Sequence, residues 1–455
     1  MSRLRHLFLL AVTVSLLSCS RHGNPPNPPQ SFTRAFWFWP GNPVDDTNLD
    51  RPLDSLYILV TTLERHSPFN ILHIGDPTDH SWYFRHSFPR EGVPPANEYW
   101  LVFRLDPQAL PNKAARRDIA AQLTSQLNTA REMNWKVAGI QLDVDQPTNS
   151  LSQYAEFLTF IRKQLPSNVR LSITALLDWF RSGTSIAQVI DKVDEFVPQF
   201  YDVGGNNGEN FAIAKRIDTN RWAPLFNRFS KPYRIGISTF GRMRVNRTLQ
   251  GQRQTSLYYG RFAPLEFASN PDLSPFSERN DAGELVVQYR ANRPTRISYL
   301  DLAPGDSAEF AVATPESVRD AVAAARAMMG YVAGVVFFRW SSVNDPLSIS
   351  PREVLGAQAD PRTLELQTSD GRCATVSCTE LFLYGAEPFV YNTVRFRITS
   401  SAPLEYFIPH EKMPVRMTTA NTLELVLPPF CARGRLRLGR AVSLAKADFR
   451  VEKLP

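Results

Sequence analysis

The sequence is poor in cysteine, in clustered basic residues and in long apolar runs. Only four cysteines occur among 455 residues. Lysine and arginine are scattered, and a formal net charge of +7 is modest for this length, so nucleic-acid binding is not predicted. The histidines between residues 66 and 86 lack the spacing of metal ligands, and Gly204–Gly208 lacks the lysine of a phosphate loop. We therefore expect neither a metal site nor a cofactor.

The one long apolar run lies at the N-terminus and is typical of an export signal. Leu7–Leu17 follows two arginines and is too short to span a bilayer. The sequence LLSC ending at Cys19 resembles a bacterial lipobox, and Ser20 after it favours the outer membrane. The alternative is a plain secretory signal with an incidental cysteine. We expect a lipoprotein that loses residues 1–18, is lipidated on Cys19, and faces the periplasm or the cell surface from the outer membrane through the tether 19–33.

Export also bears on the other three cysteines, which fall in the last quarter of the chain. Cys373, Cys378 and Cys431 would meet an oxidising compartment, so one disulfide and one leftover thiol are predicted. The sequence leaves open which pair forms. A zinc site is the alternative, with His410 as the fourth ligand.

The most informative stretch is Val137–Pro147, VAGIQLDVDQP. On a β-strand its side chains alternate between an apolar face and a face that carries Gln141, Asp143 and Asp145. A strand with an apolar back and carboxylates at its C-terminal end is typical of a β/α-barrel enzyme, where the chemistry takes place at that end.

Strands alternate with helical patterns over most of the chain, which predicts a parallel sheet. Eight strand centres can be counted, at Phe36, Leu56, Trp100, Ile140, Ile173, Phe200, Ile237 and Val336. The fold class is therefore α/β, a (β/α)8 TIM-type barrel over 34–350 with an inserted small lobe at 241–314. From 361 to 455 short alternating runs without helices predict a C-terminal all-β, sandwich-like module.

Three stretches resemble one enzyme family. Ala138–Asp145, AGIQLDVD, is similar to the DGxDxDxE strand of the family 18 glycoside hydrolases, the chitinase-like barrels. A glycine and Asp143 match that motif, and Asp145 stands where the family has its catalytic glutamate. Gln199–Asp202, QFYD, resembles the family's MxYD strand end, and Gly334–Trp340 resembles its eighth strand.

This resemblance implies a glycosidase in which the substrate's own 2-acetamido group is the nucleophile. It implies that Asp145 is the general acid, that Asp143 is its anionic partner, and that Tyr201 and Asp202 hold the acetamido group. It also implies that Trp340 is an aromatic platform for a sugar ring. Asp145 is one methylene shorter than glutamate, and a reach error of about 1 Å costs on the order of 100-fold in rate.

The chain as a whole resembles a bacterial family of unknown function, number 3142 among such families. The GIQLDxD strand, the SITAL strand with Trp179, the QFYD strand and the FFRW strand occur there in the same order as here. This resemblance implies an exported barrel protein and no established activity.

The residues themselves allow two interpretations of the acidic face. Asp143 and Asp145 lie about 7 Å apart along the strand, so we expect one of their pKa values to rise and that carboxyl to act as a proton donor. If the sugar lacks an acetamido group, Asp202 is the candidate second carboxylate. In the alternative interpretation the two acids neutralise interior arginines, with Arg104 and Arg234 as the candidate partners.

The candidate substrate-binding residues are Gln141, Arg104, and three tryptophans near strand ends, Trp37, Trp179 and Trp340. The tryptophans are expected to stack on sugar rings; core packing is the alternative. The leading hypothesis is an exported glycoside-hydrolase-like barrel that acts on a polysaccharide, including one with 2-acetamido sugars. The alternative is a non-catalytic carbohydrate-binding or envelope-assembly lipoprotein.

Overall fold

The computed structural model describes most of the predicted barrel and β module. The described residues are 31–40, 49, 51–65, 82–89, 92–201, 213–258, 262, 266–267, 270–341, 345, 347–355, 364–371, 373, 376–385, 394–410, 414–427 and 434–454. The predicted signal, Cys19, Asp202, Gly204–Gly208 and Cys431 lie outside the described residues.

The first sixteen strands belong to a barrel and an inserted lobe. They are β1 (Thr33–Phe38), β2 (Ser55–Arg65), β3 (Trp82–His86), β4 (Tyr99–Leu105), β5 (Val137–Asp143), β6 (Arg170–Ala175), β7 (Glu195–Pro198), β8 (Tyr233–Ser238), β9 (Gly241–Leu249), β10 (Gln252–Tyr258), β11 (Leu273–Arg279), β12 (Leu285–Ala291), β13 (Thr295–Ile297), β14 (Leu300–Leu302), β15 (Ser307–Val312) and β16 (Val332–Phe338).

Eight of these strands form a closed parallel barrel. Their order is β1-β16-β8-β7-β6-β5-β4-β2, and the pairing of β1 with β2 closes the ring. Every neighbouring pair in the ring is parallel. The predicted fold class is confirmed. Seven of the eight predicted strand centres fall inside these strands, whereas Phe200 lies two residues past the end of β7.

Alternation along the strands sorts side chains into two layers, as the sequence predicts. On β5, Ile140 and Leu142 face outward into the large core between barrel and helices. On β4, Trp100 and Val102 face inward, where they join a second hydrophobic cluster that fills the barrel. Gly139 permits this filling, because a Cβ there would lie 2.4 Å from the Arg170 carbonyl oxygen and 2.5 Å from the Trp100 ring.

Six helices are described: α1 (Lys113–Glu132), α2 (Leu151–Gln164), α3 (Ile186–Asp191), α4 (Thr219–Asn227), α5 (Pro315–Ala327) and α6 (Pro351–Leu355). The sequence at the start of α5 explains where the helix begins: the Thr314 side chain accepts from the Ser317 N–H, in a capping box with Pro315 at the first position. In the described part of the chain no helix is both long enough and apolar enough to cross a membrane.

The inserted lobe is an antiparallel sheet of five strands in the order β10-β9-β15-β12-β11, accompanied by the hairpin β13–β14. Its apolar side chains form a hydrophobic cluster that continues into the C-terminal region through residues such as Leu347, Leu381 and Phe396.

The C-terminal region contains two four-stranded antiparallel sheets, β17-β18-β23-β20 and β21-β22-β19-β24. The strands are β17 (Leu364–Asp370), β18 (Ser377–Gly385), β19 (Val394–Ser400), β20 (Leu404–Pro409), β21 (Val415–Thr419), β22 (Thr422–Leu427), β23 (Gly434–Ser443) and β24 (Phe449–Leu454).

Cys373 and Cys378 form a disulfide with a Cα–Cα distance of 5.9 Å, which resolves the pairing that the sequence left open.

A polar network occupies the lower interior of the barrel. Arg234 donates from Nε to Glu195 at 3.0 Å, and the two side chains are only 6% and 4% exposed. Tyr57, whose pKa burial raises well above its ordinary value, donates its hydroxyl to the same carboxylate at 2.6 Å. Ser172 links this carboxylate to Gln141, because its hydroxyl contacts Glu195 at 3.3 Å and accepts from Gln141 at 3.1 Å. The carboxylate of Glu195 is thus satisfied from three strands.

We expect Glu195→Gln to destabilise the protein by about 3 kcal/mol, because it leaves the Arg234 guanidinium buried without its counter-ion. The double variant Glu195→Gln/Arg234→Met should recover part of that loss. Urea unfolding of the variants measures both effects. Asp301→Asn, at a pair whose side chains are 70% and 75% exposed, is the control and should change stability by less than about 1 kcal/mol. Additive losses in the double variant would contradict the assignment.

Candidate functional site

The two acids of the VAGIQLDVDQP stretch share one arginine at the C-terminal mouth of the barrel. Arg104, at the end of β4, lies 3.6 Å from Asp143 through Nη1 and 3.5 Å from Asp145 through Nη2. The β4–β5 register places Arg104 directly beside Asp143. The inward parity predicted for all three residues explains why they meet. Arg104 is therefore the counter-ion of both acids.

The two carboxylates differ in their surroundings. The Asp143 side chain is 10% exposed, and it accepts a hydrogen bond from the Thr174 hydroxyl at 2.8 Å on the next strand. The Asp145 side chain is 54% exposed and lies two residues beyond the end of β5. Asp143 is therefore held from two sides, whereas about half of the Asp145 side chain is open to solvent.

Tyr201 completes the acidic corner of the mouth. Its ring stacks on Phe338 with centroids 4.9 Å apart and meets Trp37 edge-on at 5.8 Å. Burial raises the pKa of Tyr201 well above its ordinary value, and the charges of Asp143 and Asp145 raise it further. The hydroxyl therefore stays protonated at neutral pH and is available as a neutral hydrogen-bond donor.

An aromatic wall, formed by Trp39 and Phe338, lies next to Arg104 and Tyr201. Trp39, just after β1, meets Phe338 edge-on at 5.4 Å, and the Arg104 guanidinium lies 5.4 Å from the centroid of the Trp39 ring. Both aromatic residues are partly exposed. Carboxylates and aromatic rings that meet around one guanidinium suit a sugar, which offers hydroxyls at its edge and an apolar face.

Two polar atoms at this level have no partner in the described part of the chain. They are the Trp39 indole nitrogen and the hydroxyl of Thr62, which neighbours Arg104 in the β2–β4 register. Buried polar groups in proteins are nearly always hydrogen-bonded, and exceptions mark places where a water or a ligand completes the set.

Part of the barrel and lobe matches a known family. The family model described as "Domain of unknown function (DUF3142)" matches residues 97–259. The resemblance to that family is confirmed. The matched stretch contains β4 to β8 of the barrel together with β9 and β10 of the lobe. No curated protein matches the chain.

Several solved barrels are similar at low identity. The C-terminal domain of a putative chitinase from Desulfitobacterium hafniense is 14% identical over 69% of this chain and 96% of its own, with a TM-score of 0.46. The Bacillus cereus spore cortex-lytic enzyme SleL is 13% identical over 70% of this chain and 72% of its own, with a TM-score of 0.45. A chitinase from Bacillus thuringiensis is 10% identical over 92% of this chain and all of its own, with a TM-score of 0.44. The fold assignment itself rests on the strand order.

Two of the predicted sugar platforms lie away from the mouth. Trp340 is 3% exposed and packs edge-on against the outward side chains Phe36 and Phe38. Trp179 is fully buried against Tyr154 and donates its indole N–H to the Gln146 carbonyl oxygen. Both tryptophans belong to the core between barrel and helices, so core packing, the alternative considered from sequence, is the correct interpretation for them.

The other predicted site residues lie at different depths in the barrel interior. Trp37 and Gln141 point into the barrel as expected, but they are buried and bond each other, with the indole N–H donating to the amide oxygen at 2.6 Å. They support the floor of the mouth. Arg234, a predicted partner of the two acids, instead pairs with Glu195. Arg104 is where the alternation predicts it.

Sequence reasoning missed Thr174 and Phe338, and it did not select Trp39. Alternation could have found the first two, since Thr174 follows Ser172 by two residues on β6 and Phe338 follows Val336 by two on β16. Among the described residues there is no group of three or more histidine, cysteine, aspartate or glutamate side chains that could hold a metal ion.

Glu284 ties the inserted lobe to the segment beyond β7. Its fully buried carboxylate accepts from the backbone N–H groups of Ile213 at 3.0 Å and Ala214 at 2.9 Å, and from the Asn280 amide at 2.8 Å. Ala214 in turn forms a β-bridge with Tyr201. One lobe carboxylate therefore holds the chain that lines the mouth next to Tyr201.

Burial raises the pKa of Glu284 above its ordinary value of 4.5, although its hydrogen bonds and Arg242 act in the opposite direction. The folded state thus binds this proton more tightly than the unfolded state. The resulting contribution to stability is complete below about pH 4.5 and is lost as the pH rises through the raised pKa. Glu284→Gln should remove this component of the pH dependence.

The measurement is urea unfolding between about pH 4 and pH 7 for the wild type, Glu284→Gln and the control Glu316→Gln, an exposed lobe-side carboxylate. As the pH rises, the unfolding free energy of the wild type should decrease relative to that of Glu284→Gln. The Glu316→Gln protein should follow the wild type. Parallel curves for the wild type and Glu284→Gln would refute the assignment.

Proposed function

We propose that this barrel is a glycoside hydrolase that acts on a polysaccharide, including one with 2-acetamido sugars, and that Asp145 is its general acid. We also propose that the protein is exported and anchored in the outer membrane through a lipid on Cys19. The observation that carries the enzymatic proposal is the asymmetric pair of acids at the mouth. One carboxylate is fixed by Thr174 and Arg104, and the other is half exposed beside an aromatic wall.

The roles follow from this asymmetry. Asp143, held by a hydroxyl and a guanidinium, is the anionic group that orients its neighbour and stabilises positive charge near the sugar ring. Asp145 donates a proton to the glycosidic oxygen. Tyr201, a neutral donor, holds the acetamido oxygen of a substrate that carries one; Asp202 is proposed as its partner.

Arg104 sets a condition on this mechanism. Ion pairing favours the charged form of a carboxylate, whereas a general acid must carry a proton. Arg104 is 44% exposed and contacts Asp145 at 3.5 Å, so the pair can separate when a sugar enters between the acids and Trp39. Substrate entry would then leave Arg104 on Asp143 and free Asp145 to act.

The same ion pair favours a second candidate function, a non-catalytic carbohydrate-binding or envelope-assembly lipoprotein. If Arg104 stays on Asp145 in the complex, the acid remains charged and serves only as a hydrogen-bond acceptor for sugar hydroxyls. The shorter side chain of aspartate relative to glutamate supports this alternative as well. The two functions differ in whether Asp145 transfers a proton.

The decisive variant is Asp145→Asn, which keeps the shape and removes the titratable proton. We expect it to lower the release of reducing ends from peptidoglycan or chitin fragments by about 100-fold or more, a typical loss for a general acid. Glycan binding should persist, since the amide still accepts hydrogen bonds. Equal release by wild type and Asp145→Asn would exclude the enzyme, and glycan binding that is unchanged alongside it would establish the lectin.

The aromatic wall yields a binding prediction. Trp39→Ala should weaken binding of an oligosaccharide ligand by about tenfold, because it removes a stacking face of the kind worth roughly 1–2 kcal/mol. Trp179→Phe, a buried tryptophan outside the mouth, is the matched control and should leave the affinity within about twofold while lowering stability. Titration calorimetry measures the affinity. Loss of binding in the control and not in Trp39→Ala would reverse the assignment.

A further inference from the structure

A cationic cavity shares the residue Tyr201 with the mouth. It has a volume of about 560 Å³ and lies between the connection that follows β6 and the chain that follows β7. Ligand sites typically measure about 300–1,000 Å³, so one sugar unit with its substituents fits. Gln199 and Tyr201 form one wall, so the cavity and the acidic corner share a residue.

Three cations line the cavity. Arg181 follows β6, Lys215 follows the segment that Glu284 holds, and Arg221 lies on α4. Within the described part of the chain none of the three is in an ion pair with a carboxylate. The one acidic side chain among the described lining residues, Asp178, accepts a hydrogen bond from the Thr148 hydroxyl.

Two of the cations lie against the ring of Trp222. The Arg221 guanidinium lies 4.8 Å from the centroid of the Trp222 ring, and the Lys215 ammonium lies 5.8 Å from it. The buried ring thus carries two positive charges at one edge of the cavity. Like charges gathered in a concave site raise the local concentration of an anion and strengthen its binding.

We propose that this cavity is a subsite for an acidic sugar, a unit whose carboxylate is bound by Arg181, Lys215 and Arg221. The proposal rests on the proposed function and narrows its substrate class to a polysaccharide that carries carboxylates. The planar guanidinium groups of Arg181 and Arg221 match a carboxylate with paired hydrogen bonds. Tyr201 lines this cavity and also feels the charges of Asp143 and Asp145, so we place the neighbouring unit of the same polysaccharide at the acidic corner.

The test compares three tetrasaccharides by titration calorimetry on the purified protein. Hyaluronate tetrasaccharide carries both carboxylates and acetamido groups, its methyl ester carries the same skeleton without the charges, and fully N-acetylated chitotetraose carries acetamido groups alone. We expect the acid to bind about tenfold more tightly than the ester at low salt, since each exposed pair contributes up to about fivefold. Added salt should narrow that gap.

The triple variant Arg181→Gln/Lys215→Gln/Arg221→Gln should bind acid and ester equally. The variant Arg221→Lys keeps the charge and should retain most of the gap, which separates charge from packing on Trp222. Lys163→Gln, at a surface cavity near the opposite end of the barrel, is the matched control and should retain the whole gap. Three results would overturn the proposal. The wild type could bind acid and ester equally, it could bind neither, or the triple variant could retain the difference in affinity between acid and ester.

The outcomes also separate this proposal from the proposed function. If Asp145→Asn releases as many reducing ends as the wild type while the gap between acid and ester remains, the hydrolase fails and the acidic subsite stands. In the opposite case, the wild type cleaves the N-acetylated chitotetraose, the Asp145→Asn variant does not, and acid and ester bind with equal affinity. The hydrolase then stands and the acidic subsite fails.

Discussion

Closure of the barrel by the β1–β2 pairing is the constraint on which the other features depend. Once the eight strands form a ring, every second side chain points into an interior that has to be filled. The lower part is filled by aromatic rings and by the Glu195 network, whose polar groups are satisfied from β2, β6 and β8. The upper part is not closed in this way, so its polar side chains face a mouth.

This difference between floor and mouth explains why similar residues have different roles. Glu195 and Arg234 are almost fully buried and pair with each other, which is a structural arrangement because neither can reach a ligand. Asp145 and Arg104 also pair, but both are about half exposed. The first pair fixes the geometry of the strands, and the second is the pair that the proposed function requires to separate when a substrate binds.

The sequence predicts the barrel well because alternation is a local property that closure preserves. It places Gln141, Asp143 and Arg104 on the inward face, and the structure brings the last two together across β4 and β5. The prediction is wrong for Trp340, because β16 ends at Phe338 and the alternation does not continue past the end of a strand. The pairing of Arg234 with Glu195 could not be predicted from sequence, since it depends on how two strands align at the floor of the barrel.

The chemistry of the mouth depends on how one guanidinium is divided between two carboxylates. Arg104 lies 3.6 Å from Asp143 and 3.5 Å from Asp145, so the two distances do not favour pairing with one acid over the other. Thr174 distinguishes the two acids, because its hydroxyl fixes Asp143, which is 10% exposed, whereas Asp145 is 54% exposed. In the proposed complex, a sugar that stacks on Trp39 would lie beside the guanidinium and would compete with it for Asp145. The proposed hydrolase and the proposed binding protein therefore differ in one step. Only the hydrolase requires the Arg104 guanidinium to leave Asp145 and to pair with Asp143 alone.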